Sequence, residues 1–305
     1  MPTLTPKRKQ VQLAEVRPAL SAEAAYRREL DVTIKAMAKT VLATLAREYP
    51  AALAEAQAMG TVADPERAAD AGPGEGASLW RALAAIRERW ETHFAAMAAR
   101  LSAKLVEQAY QANRQAWQAR VKREGFDVPM QLTAAQRAIQ AVKVVDNVAL
   151  IRSIPEQYFK KIEGDVTRGF LAGRDLASIA AEVRKTGHST VKRAALIARD
   201  QSNKLTAQMN SARQRELGIT YAYWKHSTVE KDPRPGHLRA SREGWIFDTQ
   251  VGIDFGDQFG VVLPGEAINC RCGSRSIIPA VDEDLGPEDL EPVPGFPGAY
   301  RKRAR

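Results

Sequence analysis

ARDQSNKLTAQMNSARQRELGI (198–219) runs into TYAYWKHS (220–227), then EKDPRPGHLRASREG (230–244), and closes with LPGEAINCRCGSRSIIP (263–279). The reading of this stretch decides the fold. Ala194, Ile197, Leu205, Met209 and Ala212 recur at helical steps and predict a long helix with one buried side. Arg199, Asp200, Asn203 and Asn210 are polar residues at the margins of that side. Gly218 is a natural C-terminal stop. TYAYWKHS is β-branched and aromatic, so it predicts a strand. A shorter strand is expected at 244–247 and a third within 268–278. The expected product is a small antiparallel sheet packed on the long helix, an α+β unit.

Upstream, the chain reads as mainly helical. Residues 1–20 hold three prolines and no periodicity, which predicts an extended arm that orders against a partner. Leu30, Ile34, Met37 and Val41 mark the apolar face of a helix that Pro50 should end or kink. A Gly/Pro-rich linker follows over about 59–77. Residues 78–123 predict one long stem helix, with an apolar stripe from Leu79 through Leu83, Ile86, Trp90, Phe94, Met97, Leu101 and Leu105 to Ala109. Its three- and four-residue steps fit either an internal bundle helix or packing against another subunit. Thr133 and Gln136 form a capping box for the next helix. Two short helices are expected over 154–187, the first starting at Pro155. The last long helix should then start at a Ser189 or Thr190 cap. The domains are thus an arm (1–20), a helical region (21–130), an α+β domain (131–280) and an extended tail (281–305), acidic and Pro-rich before it turns basic.

The 305-residue chain is 45% apolar with a formal charge of +9. No run of about 18 uncharged apolar residues marks a membrane span, and no apolar core of a secretory signal follows the basic start. Assembly in a cytoplasm, without a membrane partner, is the expectation. The charge favours proximity to a polyanion, DNA first, over sequence-specific reading. Lys7, Arg8 and Lys9 near the start, with Arg301, Lys302, Arg303 and Arg305 at the end, are the candidate phosphate contacts. The plain alternative is solvated charge.

Both cysteines lie one residue apart at Cys270 and Cys272, too close for a good disulfide. In an extended segment both thiols point to one face. With His237 and one of His226 or Asp232 they complete a candidate tetrahedral zinc set. The competing reading is two small buried residues packed under a loop, with His237 bonded to backbone or Asp232. A catalytic Cys–His pair can be drawn from the same residues, but no nucleophile elbow, phosphate-cradling loop or third group accompanies it. No catalytic residue is assigned. Glu266 reads as a turn residue pairing with Arg271 or Arg275.

Taken in order, ARDQxxKLxxQxxxxRQxxxGI, the aromatic strand with Trp224, a charged loop ending in RPxH, a glycine, an apolar segment and PGExxNCRC resemble the phage Mu F-like minor head proteins. These are also called phage head morphogenesis proteins. The resemblance covers about 190–280, with a weaker match upstream. It is carried by Asp200, Gln201, Asn203, Trp224, Arg234, His237, Gly244, Pro264, Gly265, Asn269, Cys270, Arg271 and Cys272. The loop departs from the family pattern in the spacing of Glu230, Asp232 and Arg234. The resemblance implies a non-enzymatic virion protein present in few copies at the portal vertex inside the phage head. Its implied partners are the portal protein, the major capsid protein or scaffold, and packaged double-stranded DNA. Its implied work is head assembly and DNA packaging or ejection. The alternative is a DNA-binding virion protein acting on the packaged genome.

Overall fold

In a computed structural model, the described residues form four long helices and a set of short strands. It describes residues 13, 15–60, 77–125, 128, 130–227, 233–278 and 285–303. The expectations for Lys7, Arg8, Lys9, Arg305, Glu230, Asp232 and most of the 59–77 linker fall outside the described residues. The architecture is α+β: helices first, then a small antiparallel sheet.

The helices are α1 (Leu20–Ala58), α2 (Ala77–Arg123), α3 (Ala134–Leu171) and α4 (Leu176–Glu216). On α1 the residues Tyr26, Leu30, Ile34, Met37, Val41, Leu45 and Tyr49 are all buried, one per turn. The α2 stripe is buried at Leu79, Leu83, Trp90, Phe94, Met97, Leu101, Leu105 and Ala109. The chain itself covers these residues, so packing against another subunit is not required for them.

Helix α1 runs on through Pro50, which was expected to end or kink it, and α3 runs on through Pro155, where a helix start was expected. An internal proline costs about 3 kcal/mol, but each large side chain buried gives back about 1.5–3 kcal/mol. Ile151, Ile154, Tyr158, Phe159 and Ile162 are all buried around Pro155, so packing wins. The last long helix starts at Leu176, not near residue 188. Its N-terminal cap is Asp175, whose carboxylate accepts from the Ser178 amide at 2.8 Å. Ser189 and Thr190 instead bond back to the Thr186 carbonyl within the helix. Gly187 sits mid-helix because a Cβ there would come within 3.2 Å of the Ala38 methyl. The Thr133–Gln136 capping box forms as expected, with each backbone amide donating to the other's side chain.

The chain separates into two compact units that do not follow chain order. A helical unit holds Ala24–Lys104 and Val144–Ala198. Within it Glu29 accepts from Arg100 and Lys104 at 2.9 and 3.0 Å, and the Tyr49 hydroxyl donates to the Arg174 carbonyl at 2.8 Å. A mixed unit holds the chain up to Glu23, Leu105–Lys143 and everything from Arg199 on. Its five-stranded antiparallel sheet has the order β5-β1-β2-β7-β6: β1 (Tyr221–Lys225), β2 (Ile246–Asp248), β5 (Gly273–Ser276), β6 (Leu290–Pro292) and β7 (Ala299–Lys302). A separate hairpin pairs β3 (Ile253–Asp254) with β4 (Val261–Val262), and a short helix, α5 (Pro235–Arg242), follows β1. The buried centre includes Trp224, Trp245, Phe247, Ile253, Cys270, Val293 and Ala299.

The described parts of the arm and of the tail depart from expectation. The tail is not merely extended: β6 and β7 complete the sheet, and Leu290, Val293 and Ala299 are buried. Its apolar residues are few, but β2 offers an unpaired edge that β7 closes. The arm is anchored too, with Leu13 and Val16 buried against Trp117, Val121 and Ile219. The Asn210 side chain ties this arm down, donating to the Val16 carbonyl at 3.0 Å and accepting from Asn113 and Trp117.

Candidate functional site

The loop between β4 and β5 carries the Cys-x-Cys, and three side chains hold its backbone residue by residue. Arg234 donates to the Ile268 carbonyl at 2.7 Å. The Asn269 amide donates to Asp200 at 3.2 Å. Asn203 donates to the Cys270 carbonyl at 2.7 Å, in a buried position. Two of these come from one face of α4, since residues 200 and 203 are three apart on a helix. Asn269 has a φ of 60°, the single positive value among the described non-glycine residues, and asparagine tolerates that region best. Lys204 balances Asp200 at 2.8 Å. Gln201 donates to the same carboxylate at 3.3 Å.

The turn before the loop is built from Pro264, Gly265 and Glu266. Gly265 takes a φ of 95°, which a side chain would strain. Glu266 accepts from the Leu263 amide at 2.9 Å and from Gln208 at 3.3 Å. It is a turn residue, but these partners replace the expected Arg271 or Arg275. After the loop, Gln214 on α4 donates to Ser274 and Ser276 of β5. Arg271 lines a cleft with Arg17 and Arg199.

Held this way, the loop presents both sulfurs to one histidine. Cys270 Sγ lies 3.5 Å and Cys272 Sγ 3.6 Å from His237 Nδ1. All three side chains are buried, and their ligand atoms lie within 4.8 Å of one another. His226, just past the end of β1, reaches the group from its half-buried side, with Nδ1 3.7 Å from Cys272 Sγ. His237 sits in the first turn of α5, whose start Pro235 favours. Its ring packs edge-on to Trp224 at 4.9 Å and against Phe255 at 4.4 Å. Its Nε2 is buried and, among the described residues, has no hydrogen-bond partner. Gly244 ends α5 and returns the chain to Trp245, whose amide donates to Ala240.

The electrostatics follow from this crowding. The Cys270 thiol is held well below its ordinary range, chiefly by the hydrogen-bonded Cys272 and then by His237, against the opposing effect of burial. Burial pushes His226 below the ordinary imidazole value. The arrangement suits a stabilised thiolate and soft-metal ligation. Both thiols are buried, and among the described residues no carboxylate orients His237 from its Nε2.

Other candidates lie apart from this group. Arg301 pairs with Glu243, Arg303 donates to the Leu290 carbonyl at 3.1 Å, and Lys302 ends β7 on the surface. Sequence reasoning missed α5, which brings His237 to the thiols. The signal was Pro235 at a helix-start position, masked by a loop reading of the charged residues around it.

Residues 160–275 match the family described as Phage Mu protein F like protein. The matched span contains all three loop-holding residues, both cysteines, His226 and His237. An uncharacterised protein of Haemophilus influenzae is 33% identical over 162 residues, covering 52% of this chain and 34% of that protein. The chain thus spans about a third of the length of the curated relative it matches. No solved structure matches the chain.

Proposed function

We propose that this chain, Phage Mu F-like over residues 160–275, is a minor structural protein of a tailed phage or prophage head. In this reading it associates with the portal and inner capsid at the portal vertex and acts in head assembly and in DNA packaging or ejection. The observation that carries it is the family match, whose span includes every residue that pins the Cys-x-Cys loop. Those residues are used to hold backbone, which favours assembly over turnover. A structural, non-enzymatic role is part of this reading, and burial of both thiols is compatible with it. No described helix is long and apolar enough to cross a membrane. The net charge of +9 favours a second reading, direct contact with packaged DNA.

An asymmetric cryo-EM reconstruction of the virion around the portal vertex tests the first reading. Density for this chain bridging portal and inner capsid is the expected result. Heads that lack the chain, or density confined to the packaged genome, would overturn it.

A further inference from the structure

We propose that Cys270, Cys272, His237 and His226 hold one zinc ion that staples the mixed unit together. The first ground is distance. A tetrahedral zinc bonds sulfur at about 2.3 Å and imidazole nitrogen at about 2.0–2.1 Å, which sets each sulfur–nitrogen ligand pair about 3.6 Å apart. Three of the four sulfur–nitrogen pairs measure 3.5, 3.6 and 3.7 Å. His226 stands outside the group formed by His237, Cys270 and Cys272, whose ligand atoms all lie within 4.8 Å of one another, so its ring would turn in from the Cys272 side to close the shell. Hydrogen bonding alone accounts for this poorly. His237 Nδ1 has one in-plane bonding direction, yet it stands almost equidistant from two sulfurs.

The second ground is the burial of a polar group without ordinary partners. His237 is 1% exposed, its ring packs on Trp224 and Phe255, and among the described residues its Nε2 has no hydrogen-bond partner. A structural histidine usually satisfies both nitrogens. Among the described residues the polar atoms this ring meets are the two sulfurs, both on its Nδ1 side.

The third ground is preorganisation. Arg234, Asp200 and Asn203 hold backbone at 268, 269 and 270, fixing the loop before any ligand arrives. A ligand shell needs such outer support.

The charges balance. Two thiols lose their protons on binding, two thiolates neutralise Zn2+, and the two imidazoles donate lone pairs while staying neutral. An N2S2 set selects zinc over magnesium or calcium, which take oxygen ligands. The ion would join the end of β1 and the first turn of α5 to the loop before β5, more than thirty residues further along the chain. This assignment does not depend on the role in the phage head.

The test is metal analysis of the full-length chain, purified under reducing conditions. Mass spectrometry should find about one zinc per chain. Replacement by cobalt should give the intense visible bands of a tetrahedral thiolate site. Cys270→Ser, Cys272→Ser and His237→Ala should each lose the zinc. His226→Ala should shift the cobalt bands, and Asp232→Asn should leave them unchanged. Should the cysteine variants fail to fold, zinc content and cobalt bands of the wild type decide. A folded, reduced wild type that takes up neither zinc nor cobalt overturns the proposal, as does equal zinc content in the folded cysteine variants. Bands altered by Asp232→Asn and untouched by His226→Ala would overturn the assignment of His226.

Discussion

Asn203 shows how one side chain can decide the position of a loop far along the chain. Its bond to the Cys270 carbonyl is 2.7 Å long and buried. Replacing it by alanine leaves that carbonyl without its partner, which costs about 1–3 kcal/mol. Asn203→Ala should therefore lower unfolding stability by that amount in denaturant titrations, and an unchanged midpoint would refute the pin. Glu243 makes a pH-dependent contribution. Its carboxyl is held down to about 2, first by the Arg239 bond and then by the Trp245 indole, with Arg301 adding. The folded chain thus binds this proton less readily than the unfolded chain. The stabilisation is complete above the ordinary value of 4.5 and is lost as pH falls through about 2. In thermal melts, the gap between wild type and Glu243→Gln should be constant near neutral pH and close steadily in acid. A gap that widened on acidification would contradict the pairing. Asp200 and Asn203 were legible as polar residues beside a buried helix side. Their partners were not, because 269 and 270 lie more than sixty residues away and only folding makes them neighbours.

At the scale of elements, long apolar periodicity was a faithful guide and local punctuation was not. The stem helix expected over 78–123 is α2 at Ala77–Arg123. Pro50, Pro155 and Gly187 all sit inside helices, since the burial of many side chains outweighs one local penalty. The tail is the sharpest case. Deleting residues 290–305 would uncover the β2 edge and expose the partners of Leu290, Val293 and Ala299. Burial of the two larger side chains is worth about 1.5–3 kcal/mol each, and an open β edge templates association. The truncated chain should melt earlier and aggregate, as read by calorimetry and light scattering. A truncation with wild-type stability would show that the tail strands contribute nothing.

For the whole molecule, the charge of +9 makes a prediction about DNA without naming a surface. If contact is through phosphates alone, the logarithm of affinity should fall linearly with the logarithm of salt, losing orders of magnitude between about 50 and 200 mM. Binding that is indifferent to salt in a titration would exclude this electrostatic reading. The α+β class, the order of helices before strands and the Mu F-like pattern were all present in the sequence, because helix and strand periods and ordered motifs are properties of a chain read locally. The grouping of Cys270 and Cys272 with His237 was narrowed there to a short set of candidates. Tertiary structure alone decided the rest: that two prolines are absorbed within helices, that the arm and tail are anchored, and that α5 turns His237 onto both sulfurs. Each of these depends on contacts between residues far apart in sequence, whose free energy exceeds the local preferences that a linear reading detects.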